Sequence, residues 1–202
     1  INDSIVSLNH KVTLCDHYIY KCQQLITEIK RKHLKIDYID ITLHYKHGVG
    51  TRTGYFDKTG LFVDIFQGHI LWILFELLGA FTIEDISQLQ IDKKQYANYE
   101  GNNPDTDTFF FLCCKIRNTI VRVSCGKKMP LNMKTLRVDD KKHIIEDGDE
   151  YSKMFDDVIK NKLNTLERNF RHQSDFWKIT NFLIDYERFT KETDVMRKYC
   201  FR

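Results

Sequence analysis

The sequence predicts a mainly α fold, a bundle of four to five helices carrying one or two small β-hairpins. Apolar residues recur at three- and four-residue steps over several long stretches, the period of an amphipathic helix. Proline occurs only at Pro104 and Pro130, so long runs leave the helical hydrogen-bond ladder unbroken. Hydrophobic residues make up 42% and aromatics 13% of the 202 residues, which suits a buried core and excludes a disordered chain. Residues 1–202 are read as a single domain.

A first helix is expected over 4–34, where Val12, Cys15, Ile19, Cys22, Leu25, Ile26 and Ile29 keep the helical period. Lys30, Arg31, Lys32 and His33 crowd its end, favourable at the negative pole of the helix dipole. Over 36–60 the period changes to two, with Ile39, Ile41, Leu43 and Tyr45 alternating with Asp40, Thr42, His44 and Lys46. Gly48, Gly50, Gly54 and Gly60 then mark turns, and the segment reads as a hairpin excursion. The run Gly48 to Gly54 has neither the Gly-Lys-Ser/Thr ending of a P-loop nor dinucleotide-binding spacing.

Residues 61–90 predict an apolar core helix, broken near Gly79. Its longest uncharged run, Ile65 to Phe75, is short of the about 20 residues that span a bilayer. Glu76 within it needs a partner, and Arg117 is a candidate; His69 reads as a core or boundary histidine. After a polar loop over 91–104, Asp105-Thr-Asp-Thr108 offers N-caps for a helix from Phe109 to about Ser124, stopped by Gly126. Residues 127–149 predict a second hairpin excursion around Asp139 to Lys142, and 150–170 and 173–199 two closing helices.

The six cysteines form no Cys-x-x-Cys pair and no zinc-ligand spacing, which points to reduced thiols, a cytoplasmic setting and no metal. The first residues show no charged-then-apolar leader pattern. Neither a cofactor nor a membrane partner is indicated. The net charge of +3 announces no nucleic-acid partner by itself. Between Lys115 and Lys142, however, nine basic residues stand against Asp139 and Asp140, a strip able to bind phosphates or to form a solvated, lysine-guarded edge.

On the expected third helix, Phe109, Cys113, Ile116, Ile120 and Val123 form the buried stripe. Asn118 and Arg122, at i and i+4, share another face with Arg117 at its flank. The run Arg117-Asn-Thr-Ile-Val-Arg-Val-Ser-Cys-Gly126 resembles the active-site helix of the HEPN superfamily, helical ribonuclease domains of bacterial toxin and phage-defence systems. The resemblance implies a metal-independent endoribonuclease with Arg117, Asn118 and residue 122 as catalytic groups. Lys115, Lys127 and Lys128 would guide the RNA. It also implies a homodimer with motif helices facing across a cleft, and an antitoxin or larger defence-system partner. The family has histidine where this chain has Arg122, and an arginine cannot exchange a proton near neutral pH. Either the domain binds RNA without cutting it, or another group supplies the acid and base, or Arg122 replaces a histidine. The alternative class is a non-catalytic helical interaction module, in which Arg117 and Asn118 merely cap or pair within the bundle. Arg137 with His143, and Arg168 to His172, are secondary arginine–histidine clusters.

Overall fold

The computed structural model describes residues 17–33, 35–46, 62–94, 109–127, 129–145 and 174–188. These form an α/β fold, which corrects the expected helical bundle. In chain order the elements are α1 (His17–Lys32), β1 (Tyr38–His44), a π-helix (Phe62–Ile70), α2 (Leu71–Leu78), a 3-10 turn (Ile83–Asp85), β2 (Ile86–Lys94), β3 (Phe109–Ile116), β4 (Thr119–Gly126), β5 (Met133–Val138), β6 (Lys141–Ile144) and α3 (174–188).

Six strands make one sheet in the order β2-β3-β4-β1-β5-β6. β1 runs parallel to β4, with Ile39 beside Val121 and Ile41 beside Val123, and every other pair is antiparallel. The predicted motif helix is therefore the β3–β4 hairpin. Its three- and four-residue apolar steps were a coincidence of a sequence apolar almost throughout. The observed burial has period two, with Phe110, Leu112, Cys114 and Ile116 inside on β3 and Val121, Val123 and Cys125 inside on β4. The run Phe-Phe-Phe-Leu-Cys-Cys-Lys-Ile and the β-branched Thr-Ile-Val-Arg-Val pack better on a pleated surface than around a helix. Arg117 at φ +52° makes the reversal, as a tight hairpin turn requires.

The other expectations divide by element. The 36–60 hairpin is not formed by the described residues: β1 pairs with distant β4 and β5 instead. The 127–149 segment does contain a hairpin, β5–β6, but as an integral edge of the sheet. The apolar helix exists as the π-helix and α2, ending at Gly79 with φ +74°. The helix at 174–188 falls within the predicted 173–199. The helix expected over 150–170, the glycine run 48–54 and the cluster 168–172 lie outside the described residues.

The helices cover one face of the sheet. α1 turns Cys22, Ile26 and Ile29 inward, and α2 buries Leu71, Ile73, Leu74, Phe75 and Leu77. Phe75 stacks at 4.5 Å on Phe81 and at 4.7 Å, edge-on, on Phe176 of α3, with Trp72 at 4.7 Å from the same ring. α3 is further fixed to β2 by the Tyr186 hydroxyl donating to the Leu89 carbonyl at 3.1 Å and by Lys93 against Glu187 at 3.6 Å. Glu76 pairs with Lys30 at 3.7 Å, not with Arg117. Among the described residues no helix is long and apolar enough to cross a membrane.

Arg117 serves as a clamp on this packing. Its Nη1 donates to the Leu78 carbonyl at 3.2 Å and its Nη2 to the Ala80 carbonyl at 2.5 Å, while Nε meets Asp85 Oδ1 at 3.2 Å. It thus satisfies carbonyls left open at the end of α2. Arg117→Ala should lower unfolding free energy by about 1–3 kcal/mol, the usual range for losing charged hydrogen bonds. A urea midpoint unchanged from the parent chain would show that the clamp contributes nothing.

Candidate functional site

The residues singled out in the sequence do not converge. Arg117 and Asn118 form the β3–β4 turn, Arg122 lies exposed in the middle of β4, and Lys115 is on β3. Lys127 follows the far end of β4, eight residues beyond Thr119, so it stands more than about 20 Å along the strand from Arg117. Lys128 is outside the described residues. No helix displays this set on one face, so the geometry on which a ribonuclease site was built is absent here.

A different cluster forms where β1 and β4 end together. Being parallel, they bring His44 and Gly126 into register, and in open α/β sheets ligands gather outside such carboxyl ends. Tyr45 N donates to the Gly126 carbonyl at 2.9 Å, and Met129 N donates back to the Tyr45 carbonyl at 2.9 Å. This double link folds the chain after β4 around the Tyr45 ring. Lys127 Nζ then lies 4.8 Å, and Lys134 Nζ 5.0 Å, from the ring centroid. The negative face of a phenol ring holds an ammonium by cation–π attraction. Two ammoniums on one ring concentrate positive charge at a fixed place. The next backbone amide, Lys46 N, is held by Asn132 Oδ1 at 2.6 Å.

A Cβ at Gly126 would stand 2.5 Å from Met129 Sδ, so any larger residue there must displace the Met129 side chain. One residue before Tyr45 and two before Gly126, His44 Nε2 lies 2.8 Å from Ser124 Oγ. Cys125, beneath them, is fully buried, and that burial raises its thiol well above the ordinary range; Cys114 is pushed up to about 12 for the same reason. These thiols stay protonated and act as small apolar side chains. The described cysteines, Cys22, Cys113, Cys114 and Cys125, are free, and no three metal-binding side chains cluster among the described residues.

The π-helix lies against the same region. The Phe66 ring meets Phe110 edge-on at 6.0 Å, and Phe110 is the register partner of Cys125 at the end of β4. In a π-helix the backbone closes from i to i+5, so positions 64 and 69 are one turn apart. His69 is partly buried. The sequence shows Lys127 and Lys134 in the basic strip, Tyr45 only as a residue of the alternating strand, and His69 as a core or boundary histidine. The signal that could have found the site is the strand ending Tyr45 followed by a basic turn, legible only once β1 and β4 are known to be neighbours.

Comparison with known proteins points away from ribonucleases. Residues 24–96 match the family described as the C-terminal domain of glucose-6-phosphate dehydrogenase. The glucose-6-phosphate 1-dehydrogenase of Mycolicibacterium smegmatis is 33% identical over 86 residues, covering 37% of this chain and 17% of that enzyme. The chain thus spans under a fifth of the length of this curated relative. In fold, it is similar to a UDP-N-acetylglucosamine 3-dehydrogenase from Acidithiobacillus ferrooxidans, with TM-score 0.56, 10% identity, and coverage of 91% of this chain and 64% of the other. An oxidoreductase from Thermotoga maritima gives TM-score 0.54 at 13% identity, over 90% and 62% of the two chains. These matches, with the mixed sheet, overturn the HEPN resemblance, the endoribonuclease activity and the toxin or defence setting drawn from it.

Burial holds the His44 imidazole below its ordinary value of 6.5. A folded-state value below the unfolded one means that unfolding takes up protons, so stability is full above the unfolded value and falls as pH drops through it. His143 is shifted in the same direction, by burial first and then by Lys141. Replacing His44→Gln, which can still bond Ser124, should shallow the loss of stability between about pH 6.5 and 5. Parallel pH curves for parent and variant in thermal melts would contradict this.

Proposed function

We propose that this chain is the substrate-binding part of a dehydrogenase acting on a phosphorylated sugar. The observation that carries the reading is the pair of ammoniums, Lys127 and Lys134, on the Tyr45 ring at the carboxyl ends of the parallel strands. A phosphate monoester has the charge and the acceptor oxygens to engage such donors. The match of residues 24–96 to the glucose-6-phosphate dehydrogenase domain supports a sugar phosphate over other anions. Lys127, first considered as a guide for RNA phosphates, keeps a phosphate-binding role with a different ligand.

Oxidising a sugar hydroxyl removes a hydride from carbon and a proton from oxygen. His69 is the group we assign to the proton. It sits on the π-helix within the matched segment, and imidazole exchanges protons near neutral pH. A nicotinamide nucleotide supplies hydride-accepting chemistry in dehydrogenases of this kind. The described residues do not fit that group: they hold no glycine-rich turn from a strand into a helix that could cradle a pyrophosphate. Its binding is therefore assigned elsewhere, and no step here depends on it.

Isothermal titration of the chain with glucose 6-phosphate, glucose and inorganic phosphate checks the reading. Glucose 6-phosphate should bind most tightly, with affinity falling as salt rises. Lys127→Ala and Lys134→Ala should each weaken it by about 1.5–3 kcal/mol, an order of magnitude or more in Kd. Equal affinity in both variants would remove the lysines from the site. In the intact dehydrogenase, His69→Asn should cut kcat by about 10²–10⁴, with KM little changed.

A further inference from the structure

Lys127 and Lys134 belong to one short stretch of chain that a straight strand would extend over more than about 20 Å. Both ammoniums nonetheless stand over the Tyr45 ring, at 4.8 and 5.0 Å from its centroid. Tyr45 lies one residue past the end of β1, beyond the last register pairs of the sheet at His44. The turn between β4 and β5 holds it there. Three consecutive backbone groups around Tyr45 bond to that turn. Its N–H donates to the Gly126 carbonyl at 2.9 Å, its carbonyl accepts from Met129 N at 2.9 Å, and the next amide, Lys46 N, donates to Asn132 Oδ1 at 2.6 Å.

The last two bonds fall on one peptide unit. The Tyr45 carbonyl and the Lys46 N–H belong to the same planar group and point to opposite sides of it. A peptide held by its carbonyl alone can pivot about that bond, whereas one held at both edges cannot. The plane of this peptide sets ψ of Tyr45, and the bond to Gly126 holds the residue on its other side, so the turn fixes the direction in which the ring leaves the backbone. Lys134 has separate anchors in the sheet: it is the register partner of Leu43, and its carbonyl accepts from Ile145 N at 2.8 Å. Of the three bonds around Tyr45, only the one from Asn132 is made by a side chain. Asn132 is exposed, so it adds little to the core. Its carboxamide offers an acceptor oxygen without a charge, where a carboxylate would repel a phosphate at the lysines.

We propose that Asn132 is a positioning residue of the phosphate site, capturing the Tyr45–Lys46 peptide and so holding the Tyr45 ring where Lys127 and Lys134 rest on it. Asn132 touches no ligand; it acts through Tyr45. The inference rests on the sugar-phosphate reading of the lysine pair. Its effect is selective. A loosened ring lets the two ammoniums spread, which weakens the hold on the phosphate and leaves the contacts of the sugar unchanged.

Isothermal titration of the full chain with glucose 6-phosphate, inorganic phosphate and glucose tests this. Asn132→Ala should raise Kd for both phosphate ligands about three- to tenfold, the worth of one hydrogen bond, with Kd for glucose unchanged. Asn132→Leu, which keeps the volume and lacks the acceptor, should do the same, and it replaces the alanine variant if that one fails a circular-dichroism check of folding. In a Tyr45→Ala background, Asn132→Ala should cost nothing further, because residues that act through one another are not additive. An unchanged Kd for glucose 6-phosphate in both Asn132 variants overturns the proposal. So does an equal loss for glucose, which marks general loosening, or a loss that persists in full without the Tyr45 ring, which marks direct contact with the ligand. If Lys127→Ala and Lys134→Ala weaken binding while the Asn132 variants do not, the phosphate site stands and the role of Asn132 falls. If the lysine variants also bind as the parent does, both fall together.

Discussion

The parallel pairing of β1 with β4 is the constraint on which the remaining structure depends. Parallel neighbours cannot be joined by a tight turn, so the chain must leave the end of β1, cross a face of the sheet and return to the start of β4. In this protein the crossing carries the π-helix, α2, β2 and β3. It accounts for the helical layer on one face, and for the absence of one on the other among the described residues. It also makes two strands end side by side, which is why Tyr45 and Lys127 meet although 82 positions separate them.

Two anchors hold that pairing at its start. Ile120 N donates to the Asp37 carbonyl at 2.9 Å, and Thr119 Oγ1 donates to the Ile36 carbonyl at 2.7 Å. Asp139 completes the knot from the other side, its Oδ1 accepting from the amides of Asp37 and Tyr38 and its Oδ2 lying 3.0 Å from His33 Nδ1. One carboxylate thus joins the end of α1, the start of β1 and the β5–β6 turn. Asp139 adopts φ +51°, a conformation that a short polar side chain tolerates and that the knot keeps in place.

How legible this was in the sequence varies with the range of the interactions. The strand at 38–44 announces itself by local alternation, and the helix at 71–78 by a run that is apolar but for Glu76. β3 and β4 do not, because Phe109 to Ile116 is apolar on both faces and its period is hidden. There the β-branched and aromatic content, together with Arg-Asn at a turn, is the better guide than three- and four-residue steps. That single misreading turned a hairpin into a helix and drew Arg117, Asn118 and Arg122 into an apparent catalytic face. Arg117 in fact spends its guanidinium on the carbonyls after α2. The basic strip between Lys115 and Lys142 was visible as composition. Which of its members meet at one place was not, because that follows from strand order rather than spacing.

The segment that resembles the dehydrogenase domain, residues 24–96, has an odd relation to this sheet. It contains β1 and β2, yet β1 pairs only with β4 and β5, and β2 only with β3. All three partners come later in the chain. Excised at those limits, the segment would carry two strands, neither with a neighbour to complete its backbone hydrogen bonds. During synthesis, too, β1 must wait for some 75 further residues before its first partner emerges, a delay in which its row of Ile39, Ile41 and Leu43 has only helices to shelter it.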